Sequence, residues 1–199
     1  MKQKLTLICI LSISLVTANA QKIGIKAGLS LANAQYEYTA TSISTSNLIG
    51  VQVGLIGEMP ISNEIYLNSG ILFSQKGTKL SILGVEIDFP INYLEIPLNF
   101  AYKYDLGSAK IFAQAGPSLG YGLSAKMKGG GEEETIDFGT ETDQMKRLDF
   151  GVNFAAGLEI KVVQFGVNYG LGLTNLSNDP DELMKNGVLT ISVAVLFGK

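Results

Sequence analysis

The sequence predicts an all-β protein, an eight-stranded antiparallel up-and-down transmembrane β-barrel, and three observations support this fold class. First, large apolar residues alternate with small or polar residues in eight separate segments, which is the period of strands with two different faces. Second, the face opposite the apolar one is rich in glycine and polar groups, as in a narrow barrel lumen. Third, the connections alternate between short and long, as they do in outer-membrane barrels.

The first twenty residues have the features of a secretory signal peptide. Lys2 and Lys4 precede an apolar run, Leu5–Val16, that is too short to span a bilayer as a helix. The small residues before Gln21 form a cleavage site, which we place between Ala20 and Gln21. The chain is therefore predicted to consist of a leader, residues 1–20, and an outer-membrane barrel domain, residues 21–199.

The composition excludes several classes of function. The chain has no histidine and one cysteine, Cys9, which lies in the leader. A Ser-His-Asp triad, a Cys-His pair and the usual zinc ligand sets are therefore ruled out. Loss of the two leader lysines changes the net charge from −3 to −5, which gives no reason to expect nucleic-acid binding. We expect no enzyme activity, no cofactor and no metal site.

The eight predicted strands follow one another along the barrel domain. Each is about ten residues long, which is the length that a tilted membrane strand needs. In chain order, their apolar faces occupy every second position of Ile23–Leu31, Ile49–Met59, Ile65–Phe73, Leu94–Tyr102, Ile111–Leu123, Leu148–Ile160, Val163–Leu173 and Leu189–Phe197. A half-buried antiparallel sheet in a soluble sandwich explains this alternation equally well.

The connections between the predicted strands separate the two alternatives. Short turns lie around Ser62, Leu106 and Lys161. Long polar connections span Gln35–Asn47, Thr78–Ile91, Ala125–Arg147 and Asn175–Asn186. A soluble sandwich has no reason to sort its connections in this way, whereas an outer-membrane barrel has short turns inside and long loops outside. An even number of strands then places both termini in the periplasm.

The outward-facing aromatic residues agree with a membrane position. Two belts are expected where the barrel meets the two membrane interfaces. The predicted inner belt contains Tyr102, Phe165 and Phe197, and the predicted outer belt contains Phe73, Tyr121 and Phe150.

Several ionisable residues fall on the lumen face of the predicted strands. The predicted polar network consists of Lys26, Glu58, Lys76, Glu95, Asp149 and Glu159, with Lys103, Lys110 and Lys161 on the same face. The interior of an eight-stranded barrel is just wide enough for side chains to fill, so these charges must pair or remain hydrated. We predict Lys26 and Glu95 as central partners. The network is either a plug of ion pairs or a gated polar path for small solutes.

Two acidic clusters lie in the predicted outer loops, at Glu132–Glu134 and Asn178–Glu182. Oxygen ligands at such spacing can bind calcium, but neither cluster matches the twelve-residue calcium loop. We predict that both are solvated loop charge.

Four short segments resemble the PorT family of small outer-membrane β-barrel proteins. They are Gly24–Leu29, Ser74–Gly77, Tyr93–Leu98 and Ala115–Pro117, of which Tyr-Leu-Glu-Ile-Pro is the most specific. The resemblance covers nearly all of the barrel domain and implies an eight-stranded barrel in the outer membrane. The founding member is implicated in type IX protein secretion. Most members have no assigned activity, and the family has no catalytic motif to transfer.

The sequence thus predicts an outer-membrane protein of a Gram-negative cell with a structural or interaction role through its outer loops. The expected partners are outer-membrane lipid and the barrel-assembly machinery, because Phe197 near the C-terminus resembles the signal that this machinery reads. Other envelope proteins are a further option. A narrow channel for small solutes and an accessory component of secretion remain as alternatives.

Overall fold

The computed structural model describes residues 21–38, 44–82 and 85–198, so the predicted signal peptide lies outside the described residues. The described chain folds into ten β-strands. They are β1 (Lys22–Tyr38), β2 (Ser44–Ser46), β3 (Leu48–Pro60), β4 (Ile65–Ile82), β5 (Val85–Asp105), β6 (Lys110–Gly129), β7 (Glu132–Ile136), β8 (Leu148–Ile160), β9 (Val163–Gly172) and β10 (Glu182–Phe197). Within these residues, no helix is long and apolar enough to cross a bilayer.

Eight of the strands form a closed antiparallel ring in the order β1-β3-β4-β5-β6-β8-β9-β10. The ring closes because β10 pairs with β1 from Ile23↔Phe197 to Tyr38↔Glu182. Closure pairs the strand edges that would otherwise face lipid. The predicted eight-stranded up-and-down barrel is therefore confirmed. The two short strands are additions at one end, where β2 pairs with β4 and β7 pairs with β6.

The two faces of the ring are sorted as the alternation predicts. Ile49 is 69% exposed, Leu29 is 64% exposed and Ile191 is 63% exposed, all on the outer face. Their chain neighbours Ser30 and Ser192 are buried in the lumen. The large apolar residues of the ring therefore point away from its axis and do not meet in a central core. This arrangement excludes the alternative of a soluble β-sandwich.

Short turns connect the strands at one end of the barrel, called here the inner end. The turn after β5 is held by Leu106 N, which donates to Ala109 O over 2.8 Å, and by Gly107 N, which donates to Asp105 Oδ1 over 2.7 Å. Between β8 and β9, Lys161 adopts a positive φ of 56°, which a tight two-residue hairpin turn requires. The three predicted short turns are present.

The opposite, outer end differs from the prediction. Thr78–Ile91 was expected to be a loop, but β4 continues to Ile82 and β5 begins at Val85. In the same way, β6 runs to Gly129 and turns back into β7. These strands extend past the ring because each finds an antiparallel partner there, and pairing outweighs the local polar composition.

Candidate functional site

The charged side chains of the lumen gather at two levels, and the first lies near the short turns. This inner cluster consists of Lys22, Glu58, Lys103, Glu159 and Gln164. Lys103 Nζ lies 2.5 Å from Glu58 Oε2 and also forms an ion pair with Glu159. Lys22 Nζ lies 3.1 Å from Glu159 Oε1, and Gln164 Nε2 donates to Glu159 Oε2 over 2.9 Å. Five different strands thus meet across the lumen through one hydrogen-bonded group.

The second level lies toward the outer end. This outer cluster consists of Lys76, Tyr93, Glu95, Asp149 and Asn186. Lys76 Nζ lies 3.3 Å from Asp149 Oδ2 and 3.6 Å from Glu95 Oε2. Asn186 Nδ2 donates to Asp149 Oδ2 over 2.9 Å, and the Lys76 ammonium lies 5.1 Å from the centre of the Tyr93 ring.

Burial makes the pairing in both clusters obligatory. The side chain of Lys103 is 2% exposed, and that of Asp149 is also 2% exposed. A charge taken out of water at this depth is tolerated only when an opposite charge and hydrogen bonds replace its hydration. The two clusters therefore connect strands of the ring across the lumen at two levels.

The expected pairing of Lys26 with Glu95 is wrong in detail. Glu95 forms its ion pair with Lys76, and Lys26 forms none with any residue that the structure describes. Lys76 lies on β4, the strand next to that of Glu95, and its ammonium lies 3.6 Å from the Glu95 carboxylate, which is therefore already paired. Glu95 acts on Lys26 only as a longer-range charge.

Lys26 instead lines a small cavity beside the inner cluster. The cavity has a volume of about 60 Å³, and its lining includes Glu58, Asn68 and Asn99. Three oxygens of these residues, Glu58 Oε1, Asn68 Oδ1 and Asn99 Oδ1, are buried without a protein hydrogen-bond partner. A buried water needs about 10–15 Å³ and two to four polar partners, so the cavity is suited to a few ordered waters.

The sequence reasoning missed several members of the two clusters. Lys22 was missed because it precedes the first alternating pair, and Tyr93, Gln164 and Asn186 were missed because only charges were considered. Two predicted lumen residues lie elsewhere. Lys110 faces Asp105 at 3.6 Å in an exposed pair, and Lys161 is exposed in its turn. Gln21, which follows the predicted cleavage site, is the first described residue, and its side-chain nitrogen Nε2 lies 3.8 Å from Met59 Sδ.

The acidic segments of the outer end are engaged by protein groups. Glu133 forms ion pairs with Lys126 and, at 2.9 Å, with Lys128. Hydrogen bonds from these two lysines lower the pKa of Glu133 to about 2. Ser177 Oγ donates to Glu182 Oε2 over 2.5 Å. In the described part of the chain, no group of three or more acidic residues has the arrangement of a metal site.

An apolar cluster covers the outer end of the lumen. Its buried members are Ala34, Phe89, Ile91, Tyr93, Ala125, Met145, Leu176 and Met184. The backbone of the last two outer connections, 137–147 and 173–181, holds the cluster in place. Lys146 N donates to Leu176 O over 2.8 Å, and Leu176 N donates to Met184 O over 2.8 Å. This cluster was not predicted from the sequence.

Comparisons with known proteins agree with this geometry. A family model described as outer membrane protein beta-barrel domain matches residues 18–178. Neisserial surface protein A from Neisseria is similar in structure, with a TM-score of 0.52 and 16% identity over 88% of this chain and 97% of that chain. At this identity the likeness shows the fold alone.

Two further solved structures are similar at lower scores. The attachment invasion locus protein of Yersinia pestis has a TM-score of 0.48 and 15% identity over 89% of this chain and 99% of that chain. The outer membrane protein OprG from Pseudomonas aeruginosa has a TM-score of 0.47 and 10% identity over 91% of this chain and 98% of that chain. No curated protein sequence matches this chain.

Proposed function

This chain belongs to the outer membrane protein beta-barrel domain family, and from that membership we propose that it is a plugged outer-membrane scaffold that acts through its outer end. One observation carries the proposal. The lumen is crossed by two buried ion-paired clusters, and an apolar cluster lies over its outer mouth. A barrel that is filled in this way leaves its outer end as the surface available for interactions.

Planar-bilayer recordings test the plugged lumen. The purified protein is expected to insert without sustained ion-conducting openings, because passage requires ion pairs to break at two levels. Heat-modifiable gel mobility of the same sample serves as the control for a folded, inserted barrel. Sustained openings at moderate voltage in a heat-modifiable sample would contradict the plug and support a narrow channel.

A narrow channel is the second candidate, and the small cavity beside Lys26 favours it. Polar groups line this cavity between the two clusters, so a solute path would need only the clusters to rearrange. Conductance that appears when Lys76 and Lys103 are both replaced by serine would identify the clusters as the barriers. Conductance in the unaltered protein would show that the two clusters line an open path.

Orientation follows from the same proposal. Both ends of the described chain lie at the inner end of the barrel, because Ile23 pairs with Phe197 and β3 turns into β4 there. We place this end in the periplasm. An epitope inserted at Gly130–Gly131, in the β6–β7 turn, is expected to bind antibody on intact cells. A tag after residue 199 is expected to bind antibody only after the outer membrane is permeabilised. The reverse labelling would show that the barrel has the opposite orientation.

The resemblance to the PorT family supports a role as an accessory component of secretion. In the structure, the lumen-facing residues of its most specific segment are Tyr93, Glu95 and Pro97, each buried. Tyr93 and Glu95 belong to the outer cluster, so barrel packing accounts for them without a partner protein. Co-purification of other envelope proteins with the intact chain is the test of this role. Recovery of the barrel alone would count against it.

A further inference from the structure

A second cavity lies in the outer extension of the barrel, apart from the lumen. It has a volume of about 200 Å³. The apolar residues that line it are Leu80, Phe89, Met127, Ile136, Met145 and Met184. We call it the methionine pocket, because three of the five methionines of the chain line it.

The methionine pocket lies beyond the outer aromatic level. Phe73 pairs with Leu94, and Leu94 pairs with Tyr121, so these residues mark one height of the barrel. Phe89 lies five residues further along β5, which corresponds to about 16 Å of strand. The rim carries polar residues, Thr142 and Asp143 among them. The pocket therefore belongs to the part of the molecule that the proposed orientation exposes to the exterior.

The buried polar groups that line the pocket already have protein partners. Thr78 Oγ1 is within 3.1 Å of both Asn33 Oδ1 and Ser46 O. Ser177 Oγ donates to Glu182 Oε2. No buried polar atom of the lining is left without a partner among the described residues. A ligand in this pocket consequently needs no hydrogen-bonding group in its buried part. No lysine or arginine among the described residues lines the pocket, so a buried anion would lose its hydration without compensation.

The size and chemistry of the lining narrow the ligand class. An apolar cavity of about 150 Å³ is known to stay dry and to bind benzene, so this cavity has room for a molecule of one or two rings. Methionine side chains adapt to the shape of a guest, and their sulfurs make favourable contacts with aromatic rings. Phe89 adds an aromatic surface to the same wall.

We propose that the methionine pocket is a binding site for a small, uncharged aromatic molecule at the outer end of the barrel. The proposal rests on the outer end acting as the interaction surface. The relevant observations are a half-open apolar cavity, three converging methionines and a polar rim beyond the outer aromatic level.

Methionine methyl NMR tests the site directly with indole as the probe. Protein purified from outer membranes is labelled with 13C at the methionine methyls, placed in lipid nanodiscs and titrated. The signals of Met127, Met145 and Met184 are expected to shift together and to saturate. Met59 is the internal control because it lies on the outer face of β3 near the inner end. Shifts of all four signals without saturation indicate partitioning into lipid only and overturn the proposal, as do no shifts.

A matched pair of variants on β6 gives the second test. Met127→Phe adds bulk inside the pocket, whereas Leu123→Phe changes a residue that is 49% exposed on the lipid face. Met127→Phe is expected to weaken indole binding by at least about tenfold, a loss of ~1.4 kcal/mol, and Leu123→Phe is expected to leave it unchanged. Equal affinities in the two folded variants would overturn the site. Conductance of the unaltered protein is a separate measurement. Failure of the plugged-lumen proposal and failure of the binding-site proposal are therefore distinguishable.

Discussion

At the residue scale, Lys103 is the side chain on which the inner cluster depends. It is the cation shared by Glu58 and Glu159, and its side chain is 2% exposed. Lys103→Met should remove the ion pair of the buried Glu58, since Lys22, its cross-strand neighbour, forms its ion pair with Glu159. We expect the free energy of unfolding, measured by urea titration in lipid, to fall by roughly 3–5 kcal/mol.

Lys110→Met is the control for this prediction. The Lys110–Asp105 pair has a separation of 3.6 Å, and its side chains are 37% and 60% exposed. Exposed pairs contribute about 0–1 kcal/mol, so little change is expected. Similar losses in the two variants would show that the inner cluster is as hydrated as the surface.

The β6–β7 hairpin provides a prediction about pH. Lys126 and Lys128 hold the pKa of Glu133 at about 2, below its ordinary value of 4.5. A carboxyl group whose pKa is lower in the folded state stabilises that state above its unfolded pKa. The stabilisation is lost as the pH falls from about 4.5 toward 2. The carboxyl 13C shift of Glu133 should therefore titrate well below 4.5.

Replacing both lysines provides the comparison for Glu133. In a Lys126→Met and Lys128→Met double variant, the titration midpoint should rise toward 4.5, because no cation remains to favour the carboxylate. An unchanged midpoint would mean that another group sets the pKa.

The residue scale is also where prediction from the sequence was weakest. The alternation placed Glu58, Glu95 and Asp149 on the lumen face, and the structure finds them there. The alternation did not identify the ion-pair partners. Lys26 was predicted as the partner of Glu95, whereas the actual partner is Lys76. Contacts across a lumen depend on the stagger of the strands around the ring, which no single strand encodes.

At the element scale, one glycine pair on β3 reports how closely the strands approach. A methyl group at Gly54 would overlap the carbonyl oxygen of Ile71 and lie 2.7 Å from Leu72 Cα, whereas at Gly57 the nearest atom is 4.0 Å away. Gly54→Ala should lower the free energy of unfolding by about 1–3 kcal/mol through overpacking. Gly57→Ala should change it by no more than about 0.5 kcal/mol.

The same urea titration in lipid checks both glycine variants. If Gly54→Ala proved as stable as Gly57→Ala, the backbone of β3 and β4 could not approach as closely as the structure has it. Heat-modifiable mobility would show that each variant has folded before its stability is compared.

The strands of the ring could be predicted well because each carries its own two-faced pattern. The outer extension could not. Its apolar residues, such as Phe138, Met145 and Leu176, stand singly among polar residues, so no local period shows that they belong together. Only the folding of the last two outer connections over the mouth brings them into one cluster. The sequence therefore predicts polar loops in this region, whereas the structure contains strand extensions and a packed apolar cluster.

At the scale of the whole molecule, the barrel has three regions with different side-chain chemistry. The outward surface is apolar, ion pairs connect the strands across the lumen, and the apolar cluster lies over the outer end of the lumen. The ring supplies rigidity, and the outer extension supplies the surface that can differ in shape and chemistry. This division is what the proposed scaffold role requires.

The lumen and its two clusters require that the ring is closed between β1 and β10, and disulfide cross-linking tests this closure. Ala27 pairs with Val193 across the closure and with Val53 on its other side. Directly opposed residues of antiparallel strands lie about 4.5–5.5 Å apart at Cα, which is within disulfide reach. The cysteine pairs are introduced separately into a Cys9→Ser background and oxidised in outer membranes.

In the closed barrel, Ala27→Cys with Val193→Cys is expected to cross-link as completely as Ala27→Cys with Val53→Cys. An open sheet would also form the second bond, because β1 and β3 are joined in either case. Cross-linking of the 27–53 pair without the 27–193 pair would contradict the closed barrel.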